Sequence, residues 1–228
     1  MAIIEIEGVT KVYGVDGVET KALRGVDLEI EEGEFTAIAG PSGSGKTTLL
    51  NIIGALDTPT SGNVRVAGRD IGSMKGGELS KLRLENIGFI FQAYNLVPVL
   101  TAIENVEFVM LLQNVPKKER RRLAEEMLEE VGLGEMVDKR PNQMSGGQQQ
   151  RVAVARAMVS GPKIILADEP TANLDSETGK NLLDLMGDLN REKGTTFLFS
   201  THEAMVMEHS RRLIRLVDGT IVSDEANG

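Results

Sequence analysis

No cysteine occurs anywhere in the 228 residues. That excludes disulfides, thiol nucleophiles and cysteine-ligated zinc, and it fits a reducing compartment. Long apolar runs are missing too. Stretches such as FVMLL and KIILAD are short, and none approaches the ~18 residues that a membrane-spanning helix needs. The opening MAIIEIEGVT is acidic and has no basic segment ahead of an apolar one, so no signal peptide is expected. Positive charge is in deficit: 34 acidic residues against 25 basic ones leave a net charge of −9. Long-range attraction to nucleic acid or to an anionic lipid surface is therefore not expected, although a local basic patch is compatible with this balance. There is no internal repeat and no low-complexity segment. What remains is ordinary for a globular chain, with 41% hydrophobic and 26% charged residues. The length suits one large domain or two small lobes sharing a core. Disorder is expected only in the closing DEANG.

Periodicity gives a coarse map. IIEIEGV alternates as a half-exposed strand does, and residues 23–30 read similarly, with a surface turn expected over 13–20. EFTAIAG is a short apolar run ending in glycine, the pattern of a buried strand, and GKTTLLNIIGAL follows as a helix. SGNVRVAGRD reads as a hairpin. Residues 101–133 are helical in pattern, with Leu123, Met127, Leu128 and Val131 on one face. The helix GGQQQRVAVARAMVS has Val152, Ala155 and Val159 as its inner side. KIILAD is a second buried strand. The next helix carries Leu182, Leu185, Met186 and Leu189 at helical spacing and ends at Gly194. TTFLFSTH is a further strand, and RRLIRLVDGTIV is a closing hairpin turning at Asp218-Gly219. Alternating strands and helices predict an α/β fold with a parallel sheet covered by helices. The hairpins near both ends predict an added antiparallel piece, and the largely helical run 93–153 predicts a separate lobe.

Residues 40–47, GPSGSGKT, complete the pattern G-x-x-x-x-G-K-[ST] between a strand and a helix. Gly40, Pro41, Ser42, Gly43, Ser44 and Gly45 form a loop whose backbone N–H groups can converge on a phosphate, aided by the helix dipole. Lys46 supplies a point charge for β- and γ-phosphates, and the Thr47 hydroxyl suits Mg²⁺, with Thr48 following it. Asp168 ends an apolar strand, where ligands bind in open α/β sheets, and is the expected metal carboxylate. Glu169 beside it is placed to orient and deprotonate water. A glycine-rich helix cap and two solvated strand-end acids are the plainer alternatives, which the full motif in context disfavours.

MSGGQQQR, residues 144–151, is a second phosphate-binding arrangement; taken alone, it is an ordinary helix cap. It resembles the signature motif of ATP-binding-cassette (ABC) ATPases. The resemblance covers essentially the whole chain: VYG matches the adenine-stacking aromatic, FQAYNLVP the Q-loop, ANLD the D-loop and STHE the switch histidine, in family order. Among subfamilies, GPSGSGKTTLLNIIGALDTPTSG and IGFIFQAYNLVPVLTAIENV resemble the ATPase subunits of lipoprotein-releasing and macrolide-export systems. The resemblance implies a P-loop NTPase (RecA-like) core with an antiparallel β subdomain and an inserted α-helical subdomain, all in one domain, 1–228. It implies ATP and Mg²⁺ as cofactors, and hydrolysis to ADP and phosphate coupled to transport. Tyr13 would stack on adenine. Gln92 would touch Mg²⁺ or the attacking water, and His202 the γ-phosphate. Lys46, Gln92, Glu169 and His202 would be catalytic, and Thr47, Gln92 and Asp168 would hold the metal. Ser145, Gly146 and Gly147 would face the nucleotide of a second copy of the chain, with Asp175 at the dimer interface. The implied location is cytoplasmic, peripheral on the inner face of the inner membrane. An integral membrane permease would be the partner, touched through Tyr94, Leu96, Val97 and Leu100, and no nucleic acid is implied.

The chain departs from the family at three places. Met144 stands where leucine is usual, Ala172-Asn173 replaces Ser-Ala, and Glu203 replaces aspartate after the histidine. None of these removes a phosphate or metal contact. The acidic balance and the lack of zinc-binding cysteines argue against a DNA- or ribosome-directed ATPase of the same family. A nucleotide-gated dimer with weak catalysis would use the same site. Elsewhere the plain readings prevail: KKERRR (117–122) as a solvated helix start, AMVMEH as core packing, His209 as solvated.

Overall fold

The protein is described from a computed structural model covering residues 1–15 and 18–227. Ten strands and seven α-helices follow in sequence among the described residues. The long pair β1 (Ala2–Val15) and β2 (Val18–Glu31) joins β4 (Ser61–Val66) and β5 (Arg69–Asp70) in an antiparallel sheet ordered β2-β1-β4-β5. The expected turn over 13–20 is thus mostly strand, and its tip, residues 16–17, lies outside the described residues. The six-stranded sheet has the order β10-β9-β3-β8-β7-β6. It comprises β3 (Phe35–Ala39), β6 (Ile87–Phe91), β7 (Ile164–Asp168), β8 (Thr196–Thr201), β9 (Arg212–Val217) and β10 (Thr220–Ala226). The closing hairpin therefore extends the parallel sheet rather than the antiparallel one: β9 pairs parallel with β3. Asp218 and Gly219, both at positive φ, make its turn, and the strand runs through Asp224–Ala226 instead of fraying.

All of β3 and β8 is buried, so these strands read as continuous apolar runs. Their side chains still alternate. Phe35, Ala37, Phe197, Phe199, Ile165 and Ala167 join one core cluster; Ile38, Leu198, Ile164 and Leu166 join another on the opposite face. The second cluster packs against α1 (Lys46–Ile53) and the antiparallel sheet. The first packs against α3 (Ala102–Leu112), α4 (Lys117–Glu130), α5 (Gly146–Met158) and α6 (Ser176–Lys193). The helical run 93–153 thus shares a continuous core with the sheet, and it begins with a non-helical stretch over 93–101. Thr101 and Ser145 start α3 and α5 through reciprocal capping boxes with Glu104 and Gln148, and Gly194 ends α6 in the left-handed region. Two elements have no counterpart in the expected map: α2 (Gly76–Asn86), which buries only Leu82 and Asn86, and β6 after it. A seventh helix, α7, spans Ala204–His209, and there the His209 ring is half-buried and donates to the Met205 carbonyl.

The register of the parallel strands matters most for function. Ala39 lies opposite Thr201, Ser200 opposite Asp168, and Asp168 opposite Phe91. The next residues along these four strands are Gly40, His202, Glu169 and Gln92. Pairing alone lines them up along one sheet edge.

Arg212 ties the closing hairpin to the rest. Its guanidinium donates to both oxygens of Asp224 at 2.8 and 2.7 Å, to both oxygens of Glu34 at 3.0 Å, and to the Glu29 carbonyl at 2.9 Å. The hydrogen bonds from Arg212, opposed by burial, hold the Asp224 carboxyl below its ordinary range. Arg212→Lys loses the fork geometry and is expected to cost roughly 1–3 kcal/mol, seen as a thermal midpoint lower by several degrees. Because the folded-state carboxyl is depressed, this contribution is full above the ordinary aspartate value near 4 and is lost as pH falls through the lowered one. The gap between variant and wild type should therefore close in strong acid, and equal midpoints at neutral pH would refute the tie.

Candidate functional site

The phosphate loop occupies the turn between β3 and α1. A Cβ on Gly40 would lie 2.0 Å from the Leu216 carbonyl oxygen and 2.8 Å from Ser44 Oγ, so only glycine fits there. Gly45 starts α1 at φ 103, and a Cβ there would lie 2.5 Å from the Ala22 carbonyl oxygen. Pro41, Ser42 and Gly43 are exposed, and Thr48 is half-buried. Lys46 is 7% exposed and its ammonium donates to the carbonyls of Gly40 (2.7 Å) and Pro41 (3.1 Å), which places a cation inside the loop. Ser44 Oγ is buried with no partner.

Across from the loop, the Thr47 hydroxyl is 3.4 Å from both carboxylate oxygens of Asp168. Glu169 sits at φ 49, an uncommon conformation for a residue other than glycine, and its N–H donates to the Ser200 carbonyl at 2.9 Å. That turn points the side chain into the cleft. One carboxylate oxygen is 2.7 Å from His202 Nδ1, while the other, Oε2, is buried without a partner. His202 is well exposed, whereas the Glu169 side chain is 16% exposed. These residues line an open cleft of about 530 Å³ with Pro41, Ser42, Gly43, Gly45, Lys46, Thr47, Thr48 and Gln92. Thr20, Lys21 and Ala22 of β2 complete it. Volume alone does not single it out: a depression of about 630 Å³ beside Glu125, Glu129 and Glu135 is larger but gathers acids, apolar side chains and Gln148. What marks the smaller cleft is its content: a cation, helix-terminal N–H groups, the Glu169 carboxylate, and the Thr47 hydroxyl with Asp168 behind it, itself outside the lining. Among the described residues, no group of three or more His, Cys, Asp or Glu is placed to hold a metal ion by itself. The Thr47 hydroxyl and the single Asp168 carboxylate are a donor set that would suit Mg²⁺ shared with phosphates. The unpartnered Ser44 and Glu169 oxygens and the Gly40 cradle fit a bound nucleotide phosphate and its water.

Ser145, Gly146, Gly147 and Asp175 are absent from this lining. Ser145 caps α5, accepting from the Gln148 N–H at 3.3 Å while its own N–H donates to Gln148 Oε1 at 2.9 Å. A Cβ on Gly147 would lie 2.5 Å from Thr178 Cγ2. Asp175 caps α6 by accepting from the Thr178 N–H (2.9 Å) and hydroxyl (2.7 Å), bonds that hold its carboxyl below the ordinary range. So the structure brings the signature turn and Asp175 together but leaves them outside the chain's own phosphate cleft. Tyr13 is likewise outside the lining. It is 40% exposed and donates its hydroxyl to Asp57 Oδ2 at 2.8 Å.

The sequence reading missed the side chains that hold these pieces together. Gln150 on α5 is fully buried and donates to the Pro170 carbonyl at 2.7 Å and the Phe91 carbonyl at 3.4 Å. Those carbonyls belong to the residue after Glu169 and the residue before Gln92. Arg156 donates to the carbonyls of Tyr94 and Asn95, Asn173 to that of Gln92, and Asn105 brackets Val97 through both its N–H and its carbonyl. Each bond targets backbone, so no side-chain spacing advertises it. Thr171 donates to Glu203, one of the residues that departs from the family pattern. Of the expected apolar contact residues, Val97 is exposed, and Tyr94, Leu96 and Leu100 are partly buried. Val99, Phe108, Leu111 and Leu112 add exposed apolar surface, the last three at helical spacing on α3. No helix among the described residues is long and apolar enough to cross a membrane.

A sequence profile described as ABC transporter matches residues 23–172. An uncharacterized ABC transporter ATP-binding protein of Thermotoga maritima is 49% identical over 226 residues, covering 99% of this chain and 96% of that protein. The lipoprotein-releasing system ATP-binding protein LolD of Anaeromyxobacter dehalogenans is 46% identical over 222 residues, covering 97% and 93%. Among solved structures, the dimeric post-hydrolysis state of the ATP-binding cassette MJ0796 bound to ADP and Pi superposes with a TM-score of 0.91 at 44% identity, covering 99% of both chains.

Proposed function

This chain belongs to the ABC transporter family as an ATP-binding, ATP-hydrolysing subunit, and from that premise we propose how its residues divide the work. ATP lies in the 530 Å³ cleft with its β- and γ-phosphates on the Gly40–Gly45 loop and Lys46. Thr47, Asp168 and Gln92 are the residues that would hold Mg²⁺, which when bound would neutralise phosphate charge. Glu169 orients a water and takes its proton as the water oxygen attacks the γ-phosphorus. The bond from that phosphorus to the bridging oxygen breaks, releasing ADP and inorganic phosphate. His202, whose Nδ1 lies 2.7 Å from Glu169, stands beside that carboxylate and is the group that hydrogen-bonds the γ-phosphate.

A second copy supplies the rest. Ser145, Gly146 and Gly147 of one chain close over the γ-phosphate held by the other, with Asp175 at the seam. One observation carries this reading: two phosphate-binding elements are present, and the cleft of a single chain contains only one of them. Closure is then a population shift, since ATP favours the closed pair by binding it better than the open one. The run 93–153 acts as the lobe that senses nucleotide through Gln92 and Gln150. Val97, Val99, Phe108, Leu111 and Leu112 offer the apolar surface for a membrane permease, so the chain works at the cytoplasmic face of the inner membrane. The cargo system is of the lipoprotein-releasing or export kind.

Mixing variants tests the shared site. Lys46→Ala and Ser145→Arg chains are each expected to be inactive alone. In a mixed dimer one site carries both defects and the other carries none. An equal mixture should therefore recover up to roughly a quarter of wild-type turnover, as symmetric pairing dictates. A mixture as inactive as its components would mean that each chain works with its own signature turn.

A further inference from the structure

Tyr13 is held by a cluster that no phosphate or metal contact requires. Its β1 position pairs with Thr20, a residue of the cleft wall. The hydroxyl donates to Asp57 Oδ2 at 2.8 Å. Asp57 Oδ1 accepts from the Lys11 ammonium at 2.6 Å and from the Thr58 N–H at 2.7 Å. Lys11, only 9% exposed, also donates to the Thr58 carbonyl at 2.7 Å, and its nitrogen lies 4.8 Å from the centre of the Tyr13 ring. A cation thus lies over one face of the ring and the hydroxyl is pinned, while the residue as a whole stays 40% exposed. Burial opposes ionisation of Asp57, but the hydrogen bonds from Lys11, Tyr13 and Thr58 outweigh it, so the carboxyl is held below its ordinary range and stays an acceptor at neutral pH.

Asp57 also sits just beyond α1, whose first residue is Lys46, and its N–H donates to the Asn51 carbonyl of that helix at 3.2 Å. The ring is therefore tethered to the same rigid element that carries the phosphate loop. One helix sets the spacing between the phosphate end and the ring end of the site. Because the hydroxyl is committed to Asp57, the ring offers a face and no free donor.

We propose that Asp57, with Lys11 beneath the ring, is a positioning residue for the nucleobase: it fixes Tyr13 as a preformed stacking platform at a set distance from the phosphate loop. This rests on the reading that Tyr13 stacks on the base of the bound nucleotide. A platform that is already ordered loses little side-chain freedom when a base lands on it. Releasing the ring therefore weakens base binding without touching phosphate binding.

The test is calorimetric titration of the full chain with Mg²⁺-ADP and with Mg²⁺-pyrophosphate, which has no base. The quantity read is the ratio of the two affinities. Tyr13→Ala should reduce that ratio roughly tenfold or more, the usual worth of base–aromatic stacking. Asp57→Asn should reduce it roughly three- to tenfold with pyrophosphate affinity unchanged, the cost of re-immobilising one side chain. Tyr13→Phe keeps the ring, loses only the tether, and should match Asp57→Asn; it also serves if Asp57→Asn folds poorly. If Tyr13→Ala loses the ratio while Tyr13→Phe and Asp57→Asn keep it, stacking stands and the positioning role is overturned. If Tyr13→Ala keeps the ratio, the stacking reading itself fails. Should Asp57→Asn weaken ADP and pyrophosphate equally, its role is structural only, and the proposal falls.

Discussion

Glu169→Gln is expected to bind ATP, to turn it over at least about a hundredfold more slowly, and to accumulate as a dimer. The substitution is nearly isosteric. It leaves the φ 49 turn and the bond to the Ser200 carbonyl undisturbed, and an amide can still meet His202 Nδ1. What it loses is the ability to accept a proton from water. Phosphate, metal and base contacts all survive, so affinity for Mg²⁺-ATP should change little. With the opening step blocked, the closed pair becomes the resting state at saturating ATP. Size-exclusion chromatography with and without Mg²⁺-ATP, beside a phosphate-release assay, reads both effects. A variant that remained monomeric at saturating ATP, or one with wild-type turnover, would remove Glu169 from the role assigned to it.

Lys46→Ala attacks the opposite partner. Two lysines line the cleft, but Lys21 is on the exposed β2 wall, while only Lys46 reaches under the loop to Gly40 and Pro41. Truncation leaves the loop carbonyls without their cationic donor and the triphosphate without its counter-charge. A charge-assisted hydrogen bond to phosphate is worth about 1.5–3 kcal/mol, so affinity should fall roughly 10- to 100-fold and turnover with it. Lys46→Arg should not restore function, because a planar fork does not fit the buried place of a lysine that serves as a point charge. The ATP-driven dimer should weaken in parallel, which separates this variant from Glu169→Gln: one fails to close and the other fails to open. Equilibrium ATP binding and steady-state hydrolysis check it, and undiminished activity would refute the assignment.

Much of the site was legible because its chemistry is local in the chain. Seven consecutive residues, Gly40–Lys46, make the phosphate loop, and their neighbours β3 and α1 announce themselves by a buried run and a helical period. Asp168 and Glu169 were readable as the end of an apolar strand. Other features left no local trace. The helix α2 buries almost nothing, so it carries no amphipathic signal, and β6 behind it went unread. Gln150 looks like one of three successive glutamines until the fold lays it against Pro170 and Phe91. Asp57 reads as a turn residue after a helix, 44 positions from the tyrosine it holds. At 13–15 and 18–20 the expected turn gives way to paired strand, where backbone pairing outweighs weak local preference.

The order of residues along the chain was enough to name the candidate groups for the chemistry, because a loop, a helix start and a strand-ending carboxylate each draw their properties from neighbours a few bonds away. Which of those groups meet was settled by strand register and helix packing. The parallel pairing sets Gly40, Gln92, Glu169 and His202 along one edge, while the packing of α5 against α6 sets the starts of those two helices side by side, with Ser145 and Asp175 outside the lining of the cleft. Contacts between residues far apart in the chain come from burying the two faces of one sheet, and that driving force has no direction along the sequence.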